Sequence, residues 1–296
     1  MDIVLRAVDE HFVTPAQLYP QDWAPDYLPR QFLTLYVVTL LGGYTLYLSF
    51  ACFSYYFLFD HDLRKHPKFL VDQERKELGV ACRSLPWMTL LTVPLFVLEV
   101  RGHSQLYGSL DAGAGFNVDD HPGGWRYLGA SVMGFLFFND CLIYWIHRAL
   151  HSKLLYVPLH KEHHRWLVPT PFASHAFHPI DGFLQSTPYH IFVFLFPLHK
   201  VLYLTLFVLV NVWTISIHDA NYAVPSALKH IVNGSAHHTD HHLYYSYNYG
   251  QYFTLWDYVG GSYRNPSPFE GKGPYDHDVI RQIKCNKKDS RQGKQM

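Results

Sequence analysis

Twenty-nine consecutive residues, Gln31 to Phe59, carry no charge. About 20 apolar residues suffice for a helix to cross a bilayer, so this run is read as a transmembrane helix. Three further regions continue the pattern. Ser84–Leu98 gives 15 uncharged residues, and Tyr127–Asn139 gives 13 that continue past Asp140 to Ile146. Each is short alone but spans with its polar flanks. Gly182–Ile217 holds 36 residues and one charge, Lys200, beside Pro197 and His199. A kinked centre carrying a cation reads as a hairpin of two helices, with Lys200 snorkelling at the far interface. Mean hydropathy is only −0.06, because the average conceals the segments. The expected fold is an all-α membrane protein with about four transmembrane helices, the last a hairpin of two half-spans, carrying a cytosolic histidine-rich helical cap.

Loop charge orients the spans. Asp60–Arg83 contains six Lys or Arg, whereas Glu99–Arg126 contains two. By the positive-inside tendency the first loop is cytosolic and the second lumenal, which returns the chain to the cytosol at His147 and again before His218. A single integral-membrane domain is expected over residues 1–283, with a disordered polar tail over 284–296. The N-terminal residues have no basic segment or cleavage motif of a signal peptide, so the first span is expected to anchor itself. Cys52, Cys82, Cys141 and Cys285 form no pairing pattern and are read as reduced packing residues. Zero net charge, counting His as neutral, gives no reason to expect a nucleic-acid partner. Asn233-Gly234-Ser235 matches a glycosylation sequon, but it lies on the expected cytosolic side and is expected to be unmodified.

The chemistry is carried by histidine. His147-x3-His151 and His160-x2-His163-His164 stand close together, and His238-x2-His241-His242 repeats the second pattern much later. On a helix, positions i, i+3 and i+4 share a face, so each cluster is expected to present its imidazoles to one point. Pro158 is placed in the first turn of a helix carrying the second cluster. Eight imidazoles exceed the roughly four to six ligands one ion accepts, which points to two ions. The competing reading is a pH-sensing or merely polar histidine-rich surface. Structural zinc is disfavoured because no cysteine stands near a cluster. A hydrolase would use one open zinc and three ligands, with Glu162 as acid/base, and eight imidazoles are too many for that. A dinuclear centre that activates dioxygen needs many ligands and an apolar access route, and the chain offers both.

Other residues adjoin this set. Asp140 lies two turns before His147 in an otherwise apolar span, where a carboxylate is a functional candidate; support of a ligating imidazole is its expected work. His218 follows the hairpin with Asp219 behind it, and is either a ninth ligand or an interfacial histidine; Asp219 is the second candidate for a supporting carboxylate. His175 and His178 are ligands or cavity residues. His237 falls off the face of the third cluster. Tyr244, Tyr245, Tyr247, Tyr249 and Tyr252 have the composition of a membrane-interface belt.

With its three boxes on a four-span frame, the chain resembles the fatty acid hydroxylase/sterol desaturase superfamily. The stretches TPFASHAFHPIDGFLQS, NVWTISIHD, NGSAHHTDHH and NYGQYFTLWD, followed by GGS and FEGKGP, resemble its sterol C-5 desaturase family up to about Pro274. The boxes alone mark only the superfamily, which also hydroxylates fatty acids and oxidises sterol methyl groups. The resemblance implies an endoplasmic-reticulum enzyme that introduces the 5,6 double bond into a Δ7-sterol, using dioxygen and electrons from NAD(P)H relayed through cytochrome b5 and its reductase. It implies two irons held by His147, His151, His160, His163, His164, His238, His241 and His242, and it makes His218 a further ligand. Some relatives carry another histidine four residues after that ligand, where this chain has Tyr222. A non-catalytic sterol-binding protein and a metal transporter are the alternatives from other classes; a transporter would hold its ligands near the bilayer midplane.

Overall fold

Inside lipid every backbone amide must find its partner within its own segment, so uninterrupted apolar runs become helices. The computed structural model describes residues 1–108, 123–220 and 224–270 and is mostly helical. After a short helix α1 (Asp2–Val8) come α2 (Leu28–Phe57), α3 (Gln73–Leu98) and α4 (Gly124–Leu150). These three, α3 with its continuation to His103, are long and apolar enough to cross a membrane. Helices α5 (Pro179–Leu195) and α6 (Lys200–Ser216), each 17 residues, form the hairpin. Its turn is tied down by two-residue strands, β1 (Leu106–Tyr107) and β2 (Leu198–His199), which pair in parallel. Two short helices follow, α7 (Ser235–Tyr244) and α8 (Leu255–Val259).

Two cores hold the bundle. Tyr47, Ala51, Val80 and Ala81 of α2 and α3 pack with Trp166, Phe172, Ala176 and Ile215. Phe135, Phe192, Val193, Tyr203 and Val210 of α4, α5 and α6 pack with Tyr252. The segment 166–177 is therefore drawn into the bundle rather than left on its surface. Polar bonds fix it there: the Tyr47 hydroxyl donates to Phe172 O (2.9 Å), the Gln73 amide donates to Val168 O (2.8 Å), and the Glu77 carboxylate accepts from Gln73 and Thr170. A buried carboxylate without such donors would be costly.

Two local expectations are corrected. The second histidine cluster does not lie on an α-helix; Tyr156–His160 forms a wide π-type turn and His163–Arg165 a 3-10 turn. Pro158 has no N–H for the regular ladder, and the chain widens around it, with Lys161 N–H reaching Tyr156 O at 2.8 Å. At the hairpin turn the Lys200 ammonium pairs with Asp2 at 2.6 Å. The tyrosine stretch is no simple belt, since Tyr249 and Tyr252 are buried while Tyr244 and Tyr247 remain exposed. Cys52, Cys82 and Cys141 are free thiols. Tyr222, Cys285 and the tail 284–296 lie outside the described residues.

Asn233 of the sequon is buried, and its amide donates to Gly250 O. A glycan has no room there. Endoglycosidase treatment of the expressed protein is expected to leave its electrophoretic mobility unchanged, and a shift abolished by Asn233→Gln would contradict this packing.

Candidate metal centre

The imidazoles arrive from four places. His147 occupies the last turn of α4 and His151 caps it. His160, His163 and His164 sit on the two tight turns, His218 follows α6, and His238, His241 and His242 lie on α7. They converge as two groups. His147, His151, His160, His164 and His241 form one, and His163, His218, His238 and His242 the other, with the ligand atoms of each within 4.8 Å of one another.

Each box was expected to serve one point; instead the two longer boxes divide. The i, i+4 partners His160 and His164 stay together while His163 turns to the other group, and His238 and His242 stay together while His241 crosses over. On a helix such as α7 the residue four along stands roughly 40° from the first and the residue three along roughly 60° to the other side, so the i+3 and i+4 side chains diverge by about 100° and can address two points; the turns carrying His160, His163 and His164 divide in the same way. His147 and His151, four apart at the end of α4, remain together.

Within the group of five, Nε2 of His164 lies 3.1 Å from Nε2 of each of His151, His160 and His241, and His147 Nε2 lies 3.2 Å from His160 Nε2. In the group of four, His238 Nε2 lies 2.9 Å from His218 Nε2 and 3.1 Å from His242 Nε2. Two nitrogens bound at right angles to one ion, each at about 2.1 Å, stand roughly 3.0 Å apart. The donor spacing therefore fits a metal ion in each group.

The opposite ring nitrogens fix the tautomers. His160 Nδ1 donates to Asp181 Oδ2 (2.7 Å), His147 Nδ1 to Tyr249 O (3.0 Å), His241 Nδ1 to Tyr247 O (2.7 Å) and His218 Nδ1 to Thr214 O (2.7 Å). A carbonyl only accepts, so each of these imidazoles keeps its Nε2 lone pair for the centre. Burial, followed by the neighbouring imidazoles, holds His163, His164, His238, His241 and His242 well below the usual histidine pKa and lowers His151; burial takes His218 down to about 4. Neutral imidazole is the ligand form.

The remaining candidates fall around this pair. Asp140 bonds no imidazole among the described residues; its Oδ1 accepts backbone N–H groups of Gln251, Tyr252 and Phe253. The Ser54 hydroxyl points to Asp219 at 3.5 Å. His175 stays outside both groups, donating to Asn211 Oδ1 at 3.2 Å, and His178 caps α5 by accepting from Ile180 N–H. His237 is buried against Tyr263 and Phe269. Sequence reasoning missed Asp181, whose signal was a lone acid opening an apolar span, and the carbonyls of Tyr247 and Tyr249, which no side-chain pattern announces.

A cavity of about 70 Å³ adjoins both groups, walled by His147, His163, His218 and His238 together with Met88, Ile143, Phe177, Val210 and Ile217. It lies among α3, α4, α5 and α6, and its wall mixes those apolar side chains with polar ones, Gln185, Asn211, Thr214 and Gln251 among them.

Because each histidine belongs to one group, His151→Ala and His242→Ala should each halve the metal bound per chain, as read by elemental analysis of folded protein; full occupancy in both variants would contradict the assignment. Burial also sets a pH dependence. His175 and His237 are held neutral down to about 4, from an ordinary value of 6.5. Below about 6.5 an unfolded imidazole takes up a proton that the folded one refuses, so the stability present above that pH is lost progressively toward 4. The melting temperature of the metal-free protein should fall over this window, and a flat profile would contradict it.

The sequence profile of the fatty acid hydroxylase family matches residues 132–262, a span that holds every imidazole of both groups. Lathosterol oxidase of Mus musculus is 57% identical over 277 residues, covering 94% of this chain and 90% of the relative. Lathosterol oxidase of Homo sapiens is 55% identical over 293 residues, covering 99% and 94%. The Delta(7)-sterol 5(6)-desaturase of Saccharomyces cerevisiae is 51% identical over 237 residues, covering 80% and 62%. No solved structure matches the chain. The chain belongs to the fatty acid hydroxylase family, alongside the lathosterol oxidases and Δ7-sterol 5(6)-desaturases.

Proposed function

We propose that this chain is a membrane-bound sterol desaturase that introduces the C5–C6 double bond into a Δ7-sterol, taking lathosterol to 7-dehydrocholesterol, in the endoplasmic-reticulum membrane with its histidine groups on the cytosolic side. The observation that carries the reading is one cavity between the helices whose wall holds imidazoles of both groups beside apolar side chains. The names of the relatives supply the sterol class and the position of the bond.

Two non-haem irons are the proposed occupants, one for each group, since imidazole suits iron and neither group offers thiolate. Bound there, they would supply the activation of dioxygen. Two hydrogens leave the sterol at C-5 and C-6, and dioxygen leaves as two waters, which requires two electrons and two protons. The proposed electron source is NAD(P)H through cytochrome b5 and its reductase.

The protein contributes position rather than acid/base chemistry, because an unactivated C–H bond offers no acidic proton. Asp181 and the carbonyls of Tyr247, Tyr249 and Thr214 hold the imidazoles in one tautomer. Met88, Ile143, Phe177, Val210 and Ile217 exclude water and hold the sterol edge, which favours loss of a second hydrogen over attachment of oxygen. At about 70 Å³ the cavity is far below the roughly 300 Å³ of the smallest ligand pockets, so a sterol enters by displacing a wall. The unbranched, adaptable side chain of Met88, which with Phe177 lies against Gly182, is the proposed movable part.

Expression in cells lacking 5-desaturation, read by sterol profiling, is expected to restore Δ5,7-sterols; persistence of the Δ7-sterol, or accumulation of a hydroxylated product alone, would contradict the proposal. A Cβ at residue 182 would stand 2.2 Å from a Phe177 ring carbon and 2.7 Å from the Met88 methyl. Gly182→Ala is therefore expected to cut turnover at least tenfold while metal content is unchanged, and undiminished turnover would place the sterol elsewhere.

A further inference from the structure

Five consecutive backbone N–H groups, residues 249 to 253, all donate to just two carboxylates. Asp257 takes Tyr249 N–H on Oδ1 at 2.8 Å and Gly250 N–H on Oδ2 at 2.9 Å; Asp140 takes those of Gln251, Tyr252 and Phe253 on Oδ1 at 3.2, 2.7 and 3.2 Å. Both acids are buried, and they come from different elements, α4 and α8. The carbonyls of the same stretch face the other way. Tyr247 O accepts from His241 and Tyr249 O from His147, while Gln251 O accepts from the Trp213 indole at 2.7 Å and Tyr252 O from Asn233 N–H at 2.8 Å.

We infer that residues 247–253 form a strap, tensioned by Asp140 and Asp257, that positions His147 and His241 and so governs the affinity of the five-imidazole group. The inference rests on the reading that these imidazoles hold metal. Both imidazole bonds of the strap go to that group, one to α4 and one to α7, so the strap also sets the distance between the two helices at this end. The Gly250 N–H that donates to Asp257 belongs to the same peptide unit as Tyr249 O, which makes that carbonyl a better acceptor and the His147 imidazole more basic at its far nitrogen; for His241 the strap acts by position alone. Gly250 is required at the middle. A Cβ there would stand 2.5 Å from Phe253 O, 2.7 Å from Asn233 Nδ2 and 3.0 Å from Asp257 Oδ2.

The two acids differ in a way that a merely structural role would not reproduce. Both oxygens of Asp257 accept, Oδ1 also receiving the Ser262 hydroxyl at 2.8 Å, so an asparagine must turn an NH2 group against a donor. Asp140 receives all three N–H groups on one oxygen, and an asparagine there can keep them. Asp257→Asn and Asp140→Ala should thus disturb the strap, and Asp140→Asn should do so much less.

The test uses the full-length protein in detergent, loaded with iron(II) under anaerobic conditions and challenged with a chelator. Wild type is expected to retain two ions per chain. Asp257→Asn and Asp140→Ala are expected to hold one of them about tenfold to hundredfold more weakly, the usual cost of losing an outer hydrogen bond to a ligand, and the other unchanged. Asp140→Asn should stay near wild type. The weakened ion is located by pairing: Asp257→Asn with His242→Ala should retain neither ion, and with His151→Ala still one. Wild-type retention in both Asp257→Asn and Asp140→Ala, or equal loss of both ions with helicity intact by circular dichroism, would overturn the strap. Wild-type protein that never binds a pair of ions would remove the metal reading beneath it, a result seen before any substitution is made.

Discussion

Nine imidazoles gathered around two points, eight of them buried, set the condition that the rest of this chain must meet. Polar groups taken out of water are costly unless they gain partners, and the Nε2 lone pairs of His147 and His160, 3.2 Å apart with both Nδ1 atoms donating elsewhere, repel. Protonation cannot relieve this, because burial and the neighbouring imidazoles oppose the charged form. A divalent cation in each group answers both problems. Its binding would also join the end of α4, the turns at 156–165, the end of α6 and α7, so that metal affinity and folding become one free energy.

The scaffold explains how so polar a centre sits beside lipid. Long apolar helices satisfy their own backbones within the bilayer, and polar side chains are concentrated where those helices end. At the start of α3, Gln73 and Glu77 bind the incoming segment around Val168 and Thr170, and Tyr47 of α2 binds Phe172. Phe177, His163 and His218 all line the cavity. The centre thus has an apolar side between helices and a polar side built from turns, which suits a water-insoluble substrate and a reaction that consumes electrons and protons.

Much of this was legible in the letters. Charge-free length announced the spans, one lysine near Pro197 marked the hairpin, and the spacing of the boxes announced imidazoles that cluster. The division of each longer box between two groups was not legible, because it depends on where the partner elements stand on either side of the i, i+4 pair and the i+3 residue. The non-helical path of 156–165 was hidden for a related reason: Pro158 can open a helix or disrupt one, and the burial of His160, His163 and His164 against other elements decided the outcome. Asp140 was visible as an intramembrane acid, yet its partners are main-chain amides over a hundred residues away. Tyr249 and Tyr252 looked like belt residues because composition cannot distinguish a ring at a lipid surface from one buried in a strap.

Everything turns on whether the two groups act together on a pair of irons. Mössbauer spectroscopy of the purified, iron-57-reconstituted protein, with iron counted per chain, tests this most directly. Two irons per chain in nitrogen-rich sites, magnetically coupled once oxidised, are the expected result. A single iron, or two that remain uncoupled in protein that still desaturates sterol, would contradict it.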